Sequence, residues 1–231
     1  MATQPSSSRS KSRRTAPNRR TAGAKSQPDA APANPRWVEP ILQLARRRAA
    51  DRVAALRTRF PDATPRQLGE RLVRSSAMRA GFVGATTATL ALIALPVGLP
   101  AGIALTLLLE AELLFTLLAL YGLSTAGESG RLRLYALWAG AGLADAAKTA
   151  GVRLGANAVR RVLAGSLPAR IIARINPVLL RAILRRLGLG WLPRAARLWP
   201  LLGAPVGFAL DRAALRASGA AALDVLEKSR G

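Results

Sequence analysis

The sequence predicts an all-α protein, a multi-helix bundle built around a central hydrophobic helical hairpin. Apolar residues recur at helical spacing along most of the chain, and no stretch shows the alternation of a half-buried strand. Residues 80–109 contain no charged side chain. The segment Pro96-Val97-Gly98-Leu99-Pro100 interrupts this run, which predicts two apolar arms joined by a turn.

Composition narrows the function classes. The chain has 231 residues, enough for one large domain, and contains no histidine and no cysteine. These absences exclude Cys/His zinc sites, iron–sulfur clusters, thiol nucleophiles and a Ser-His-Asp triad. We therefore expect a non-enzymatic protein with no catalytic residue, no cofactor, no metal and no small-molecule substrate. A net charge of +23 predicts anionic partners.

The first 35 residues form a low-complexity tail rich in Ser, Ala, Pro and Arg. This segment lacks an apolar face, so we expect it to be disordered. Its basic residues predict non-specific binding to polyanions, which keeps a tail-driven nucleic-acid binder open as an alternative. Residues 36–231 are predicted to form the helical domain.

Two basic helices precede the apolar run. The first is predicted to begin near Pro40, with an apolar stripe that contains Leu42, Ala45, Ala49, Val53 and Leu56. Four arginines of this helix are predicted to contact anionic lipid, namely Arg46, Arg47, Arg48 and Arg52. The second helix is predicted to begin at Pro65, because Thr64 and Gln67 have the spacing of a capping box.

The apolar hairpin is expected at about residues 77–123, with arms at 77–95 and 101–123. Such arms suit either a bilayer or the centre of a soluble bundle. Arginines flank both ends, so an inserted hairpin would keep both ends on the cytoplasmic side. Apolar residues predicted to contact lipid are Phe82, Leu90, Leu95, Leu107 and Phe115, and two indoles, Trp191 and Trp199, are predicted at the interface.

Glu110 and Glu112 are the only acidic residues of the hairpin. Each would cost about 2.5–3.5 kcal/mol at the centre of a membrane helix, which argues against simple spanning. Being two residues apart, they point in roughly opposite directions, and one bundle seam could not hide both. We expect buried polar roles, with a salt bridge from one of them to an arginine of residues 153–186.

The second half of the chain is predicted to be helical as well. Helices are expected at about 131–148, 152–163, 167–175 and 178–187, with Asn176-Pro177 separating the last two. An apolar stretch then runs from Trp199 to Leu210, and a terminal helix closes near Lys228. Gly203 and Gly207 are four residues apart, which predicts close helix packing there.

Several short motifs together resemble the EcsC family of bacterial proteins, over about residues 37–228. The segments are Pro61 to Pro65 with the following helix, Gly81-Phe82-Val83-Gly84-Ala85, the interrupted hairpin, Leu120-Tyr121-Gly122-Leu123, Gly140-Ala141-Gly142, Ala146-Ala147-Lys148, Gly151-Val152 and Trp199-Pro200-Leu201-Leu202-Gly203-Ala204-Pro205-Val206-Gly207. One departure is Asp211, which stands where the family often has an asparagine.

The resemblance implies a helical, membrane-linked protein without enzymatic activity, connected to transport or secretion. We therefore expect the protein to lie at the cytoplasmic face of a bacterial membrane. There it would bind anionic lipid and could bind a membrane-protein partner. A soluble, cytoplasmic bundle that carries a lipid or apolar ligand remains the main alternative.

Overall fold

A computed structural model describes residues 36–93, 95–140, 148, 151, 158–189 and 203–230. Side chains are described for the same residues except 88–93, 95–101, 158, 184–189 and 203. The tail predicted at 1–35 lies outside the described residues, as do Trp191 and Trp199.

The predicted all-α, multi-helix fold class is confirmed. Seven helices and no strand occur in the described ranges, and 87% of those residues are helical. In chain order the helices are α1 (Val38–Arg59), α2 (Pro65–Ile93), α3 (Leu95–Leu120), α4 (Gly127–Ala139), α5 (Ala158–Leu163), α6 (Ala169–Leu189) and α7 (Gly203–Arg230).

The first two helices follow their sequence signals. In α1, Leu42, Ala45 and Ala49 are buried, and this face packs against α3. The capping box at the start of α2 is present: the Thr64 hydroxyl accepts the Gln67 backbone N–H at 3.3 Å, and the Gln67 side chain accepts the Thr64 N–H at 3.1 Å. Both bonds satisfy backbone donors that a helix start leaves without partners.

Helix α3 begins before the turn that was predicted at residues 96–100. α3 begins at Leu95, so Pro96 lies in its first turn rather than in a connecting loop. A proline is tolerated there because the first N–H groups of a helix have no acceptor within it. Helices α2 and α3 are 29 and 26 residues long, and they contact each other.

The C-terminal half of α3 is the centre of the core. Helix α3 is contacted by α1, α2, α4, α6 and α7, and from Leu107 onward five of its leucines have essentially no solvent exposure. Leu107 and Phe115, predicted to contact lipid, are instead fully buried among these helices. An all-round apolar helix satisfies a bilayer and a protein core equally well, which is why the sequence did not separate the two.

The predicted break at Asn176-Pro177 is wrong, because α6 continues through Pro177. Its apolar stripe includes Ile172, Ile175, Leu179 and Leu180, all buried, and α6 packs along α4. Burial of this continuous face outweighs the penalty of about 3 kcal/mol for an interior proline. On the opposite face, Arg170, Arg174 and Arg181 are exposed.

Helix α7 lies along α2 over most of its length, and glycines permit the closest approach. A Cβ placed on Gly84 would lie 2.6 Å from the carbonyl oxygen of Gly207, whereas one on Gly102 would meet nothing within 4 Å. The predicted packing role of Gly207 thus corresponds to a contact with α2. Gly203 is the first residue of α7.

We predict that Gly84→Ala lowers the free energy of unfolding by about 1–3 kcal/mol, since the backbone of Gly207 has no room to move aside. Gly102→Ala is the matched control and should raise it by about 0.5–1 kcal/mol through its better helix propensity. Urea unfolding followed by circular dichroism measures both. Equal effects of the two substitutions would contradict the close contact of α2 and α7.

Candidate functional site

A buried carboxylate holds three helices together at one point. Glu112 of α3 accepts a hydrogen bond from Arg52 of α1 at 2.8 Å and one from Arg79 of α2 at 3.5 Å. Arg48, one turn before Arg52, approaches the second carboxylate oxygen to 4.0 Å. Arg52 also donates to the hydroxyl of Ser76 at 3.1 Å. We call these five residues the arginine cluster.

The members of the arginine cluster differ in their exposure. The side chain of Glu112 is 3% exposed and that of Arg52 is 19% exposed, whereas Arg48 and Arg79 are more than half exposed. Burial lowers the pKa of the Arg52 guanidinium, and the nearby charge of Arg79 lowers it further, while Glu112 acts in the opposite direction. Three guanidinium groups face one carboxylate, which leaves 3 − 1 = 2 positive charges within the cluster.

One of the two acidic residues, Glu112, therefore forms a salt bridge as predicted, but its partners lie in α1 and α2. For Glu112, the prediction of a partner among the arginines of residues 153–186 is wrong, because its partners precede it in the chain. Arg52 and Glu112 are 60 residues apart in the chain, so no local sequence pattern could predict their pairing. The only sequence signal was the spacing of Arg48 and Arg52, which places them on one helix face.

Glu110 faces a different side of α3. Its carboxylate accepts the indole N–H of Trp138 from α4 at 2.5 Å, and both residues are buried. The two acidic residues thus do point in different directions, as expected. Both are nevertheless hidden, because α3 is covered on one side by α1 and α2 and on the other by α4.

A cavity of about 560 Å³ lies beside Glu110. Residues of α2, α3, α4, α6 and α7 line it, and most of them are apolar, among them Val83, Leu109 and Leu215. Glu110 and Asp211 also belong to the wall. The volume lies within the range of ligand pockets in proteins. Within the described ranges, no group of three acidic side chains could hold a metal ion.

Four large apolar side chains are exposed on α2, α3 and α7, namely Met78, Phe82, Leu105 and Leu210. Phe82 is 62% exposed, and its ring packs edge-on against Phe208 with 5.4 Å between centroids. We call residues 82–105 the hairpin end. The hairpin end contains no charged residue.

The remaining sequence-predicted lipid contacts are placed as follows. Arg46, Arg47 and Arg48 are exposed on α1, whereas Arg52 is mostly enclosed in the arginine cluster. Leu90 and Leu95 lie in the helices of the hairpin end, where side-chain surroundings are not described. Sequence reasoning missed Arg79 and Trp138, which contact the two acidic residues. It also missed Ser76, whose hydroxyl accepts a hydrogen bond from Arg52.

One helix among the described residues, Gly102–Leu120, is long and apolar enough to cross a membrane. However, 61% of this stretch is buried inside the bundle, as in the core helix of a soluble protein. Comparisons with family models, with curated proteins and with solved structures found no match to this chain. The geometry of the described residues is therefore the basis for the functional inference.

We predict that Glu112→Gln lowers the free energy of unfolding by about 3 kcal/mol, because it leaves the enclosed guanidinium of Arg52 without its counter-ion. Glu70→Gln removes the same charge from an exposed pair with Arg66 and should change stability by less than about 1 kcal/mol. Urea unfolding of both variants is the measurement. A loss of similar size in Glu70→Gln would mean that net charge, and not the arginine cluster, sets the stability.

Proposed function

We propose that this protein is a non-enzymatic helical protein of the EcsC type that associates with the cytoplasmic face of a bacterial membrane, binding it through the hairpin end and neighbouring arginines. The observation that carries the proposal is the exposure of Phe82 within the uncharged segment of residues 80–109. Exposed apolar surface of this kind is typical of a membrane or partner interface.

The length of the hairpin end favours shallow insertion. At a rise of about 1.5 Å per residue, α2 extends about 18 Å from Phe82 to Ile93, and α3 returns a similar distance from Leu95 to Leu105. The hydrocarbon core of a bilayer is about 30 Å thick. The hairpin end is thus long enough to enter one leaflet and too short to cross both, so the rest of the bundle stays on one side.

Charge supports the same orientation. The exposed arginines of α1 and α2 include Arg46, Arg47, Arg48 and Arg79, and Arg79 is three residues from Phe82. Each basic residue near an anionic bilayer contributes about 1 kcal/mol of attraction. The part of α3 beyond the hairpin end carries Glu110 and Glu112, which are held in polar contacts within the bundle. This half of α3 is accordingly assigned to the protein core and not to lipid.

A second candidate function is the carriage of a lipid or apolar ligand by a soluble bundle. The cavity beside Glu110 favours it, since its size and mainly apolar lining suit an acyl chain. Native mass spectrometry of protein purified without detergent tests this candidate. A bound lipid that is released by organic extraction would support it, and a single mass equal to that of the chain would contradict it.

Two further expectations belong to the proposal. The link to transport or secretion and a membrane-protein partner rest on the family resemblance. Non-specific polyanion binding rests on the basic tail, residues 1–35, and deleting that tail should abolish it while leaving membrane binding intact.

We predict that Phe82→Ser weakens binding to vesicles by more than about tenfold, because it removes about 1.5–3 kcal/mol of apolar burial. Leu44→Ser is the matched control, since Leu44 is also exposed, at 41%, but lies on α1 outside the hairpin end. Co-sedimentation with phosphatidylglycerol-containing vesicles measures both.

In cells, carbonate-washed membranes should retain the wild-type protein and release Phe82→Ser. Recovery of wild-type protein in the supernatant after this wash would contradict insertion of the hairpin end. Equal retention of the Phe82 and Leu44 variants would show that the hairpin end does not carry the binding.

A further inference from the structure

We propose that Arg48, Arg52 and Arg79 form a binding site for a phosphomonoester dianion, supplied either by the head group of a lipid such as phosphatidic acid or by a free phosphate. The inference rests on the proposed function for its lipid form, and it adds a ligand class and a defined site to it.

The cluster contains more cations than its carboxylate needs. Arg52 alone gives Glu112 a short, enclosed ion pair at 2.8 Å. Arg79 shares the same carboxylate oxygen at 3.5 Å, and Arg48 approaches the other oxygen only to 4.0 Å. A phosphomonoester, whose charge is about −1.5 to −2 near neutral pH, can neutralise this surplus of two positive charges.

Hydrogen-bond donors remain available at the same place. A guanidinium carries five N–H donors in a planar fork that matches phosphate oxygens. Among the described residues, Arg79 donates to Glu112 alone, and Arg48 makes no hydrogen bond within the usual distance. Because both side chains are more than half exposed, an incoming anion meets these two guanidinium groups before the buried Glu112.

The position of the cluster suits a lipid head group. Arg79 precedes Phe82 by three residues on α2, a rise of about 4.5 Å along the helix axis. When the Phe82 ring reaches the acyl chains, Arg79 lies close to phosphate depth. Arg48 and Arg52 of α1 are held at the same level through Glu112. Glu112 therefore acts as the positioning residue that keeps three cations from separating.

The test compares two vesicle types with the full-length protein. One contains phosphatidic acid in phosphatidylcholine, and the other contains enough phosphatidylglycerol to match its surface charge, so that only the head-group chemistry differs. The double variant Arg48→Gln/Arg79→Gln is compared with Arg46→Gln/Arg47→Gln, which removes the same charge from exposed positions of α1 outside the cluster. Unfolding midpoints establish that both variants are folded.

We expect wild-type protein to prefer phosphatidic acid by about tenfold or more. The cluster variant should lose this preference, whereas the control variant should bind both vesicle types more weakly and keep it. Equal affinity of wild-type protein for the two vesicle types, or loss of the preference in both variants, would overturn the lipid form of the site.

A second arm uses inorganic phosphate in the absence of lipid. Phosphate should raise the thermal unfolding midpoint of wild-type protein more than chloride does at equal ionic strength, and the cluster variant should lose this increment. If phosphate raises the unfolding midpoint but the protein shows no preference for phosphatidic acid vesicles, the site is assigned to free phosphate. The absence of both effects would reject the site, while failure of all vesicle binding with a retained phosphate increment would reject only the membrane function.

Discussion

The ion pairing of Glu112 is the interaction on which the rest of the structure depends. A carboxylate in the middle of an apolar helix is expensive to bury, and here guanidinium groups from two other helices surround it. These contacts tie α1 and α2 to α3 at one level of the bundle. They also keep this part of α3 in the protein core, because Glu112 cannot move into hydrocarbon without losing its partners.

Because Glu112 is held in this way, the two halves of α3 have different roles. From Leu107 onward the helix is the core, enclosed by its neighbours and anchored through Glu110 and Glu112. Up to Leu105 it belongs to the hairpin end, where Phe82 and Leu105 are exposed and charge is absent. The transition occurs within one turn of the helix. The sequence left open whether a bilayer or a protein core surrounds this apolar helix. One half of α3 matches a protein core, and the other half supports our proposal of a membrane contact.

Much of the fold was predictable because its signals are local. The capping box at Thr64 and Gln67 fixed the start of α2, and the stripe through Leu42, Ala45 and Ala49 predicted the buried face of α1. The failures have a common physical cause, which is competition from tertiary packing. Burial of a continuous stripe carried α6 through Pro177. Leu107 and Phe115 look the same in sequence whether lipid or protein surrounds them, and the partners of Glu112 come from residues far away in the chain.

The most direct test of the divided helix is to measure the depth of labelled positions in a bilayer. The chain has no cysteine, so single nitroxide labels can be placed at Leu105 and, as a control, at Leu44. Power-saturation spectroscopy on vesicles then reports whether each label meets oxygen dissolved in lipid or a water-soluble nickel complex. We predict that the label at 105 becomes accessible to oxygen and protected from nickel, while the label at 44 stays accessible to nickel. Two labels that both stay accessible to nickel on vesicle-bound protein would contradict insertion and leave only electrostatic adhesion.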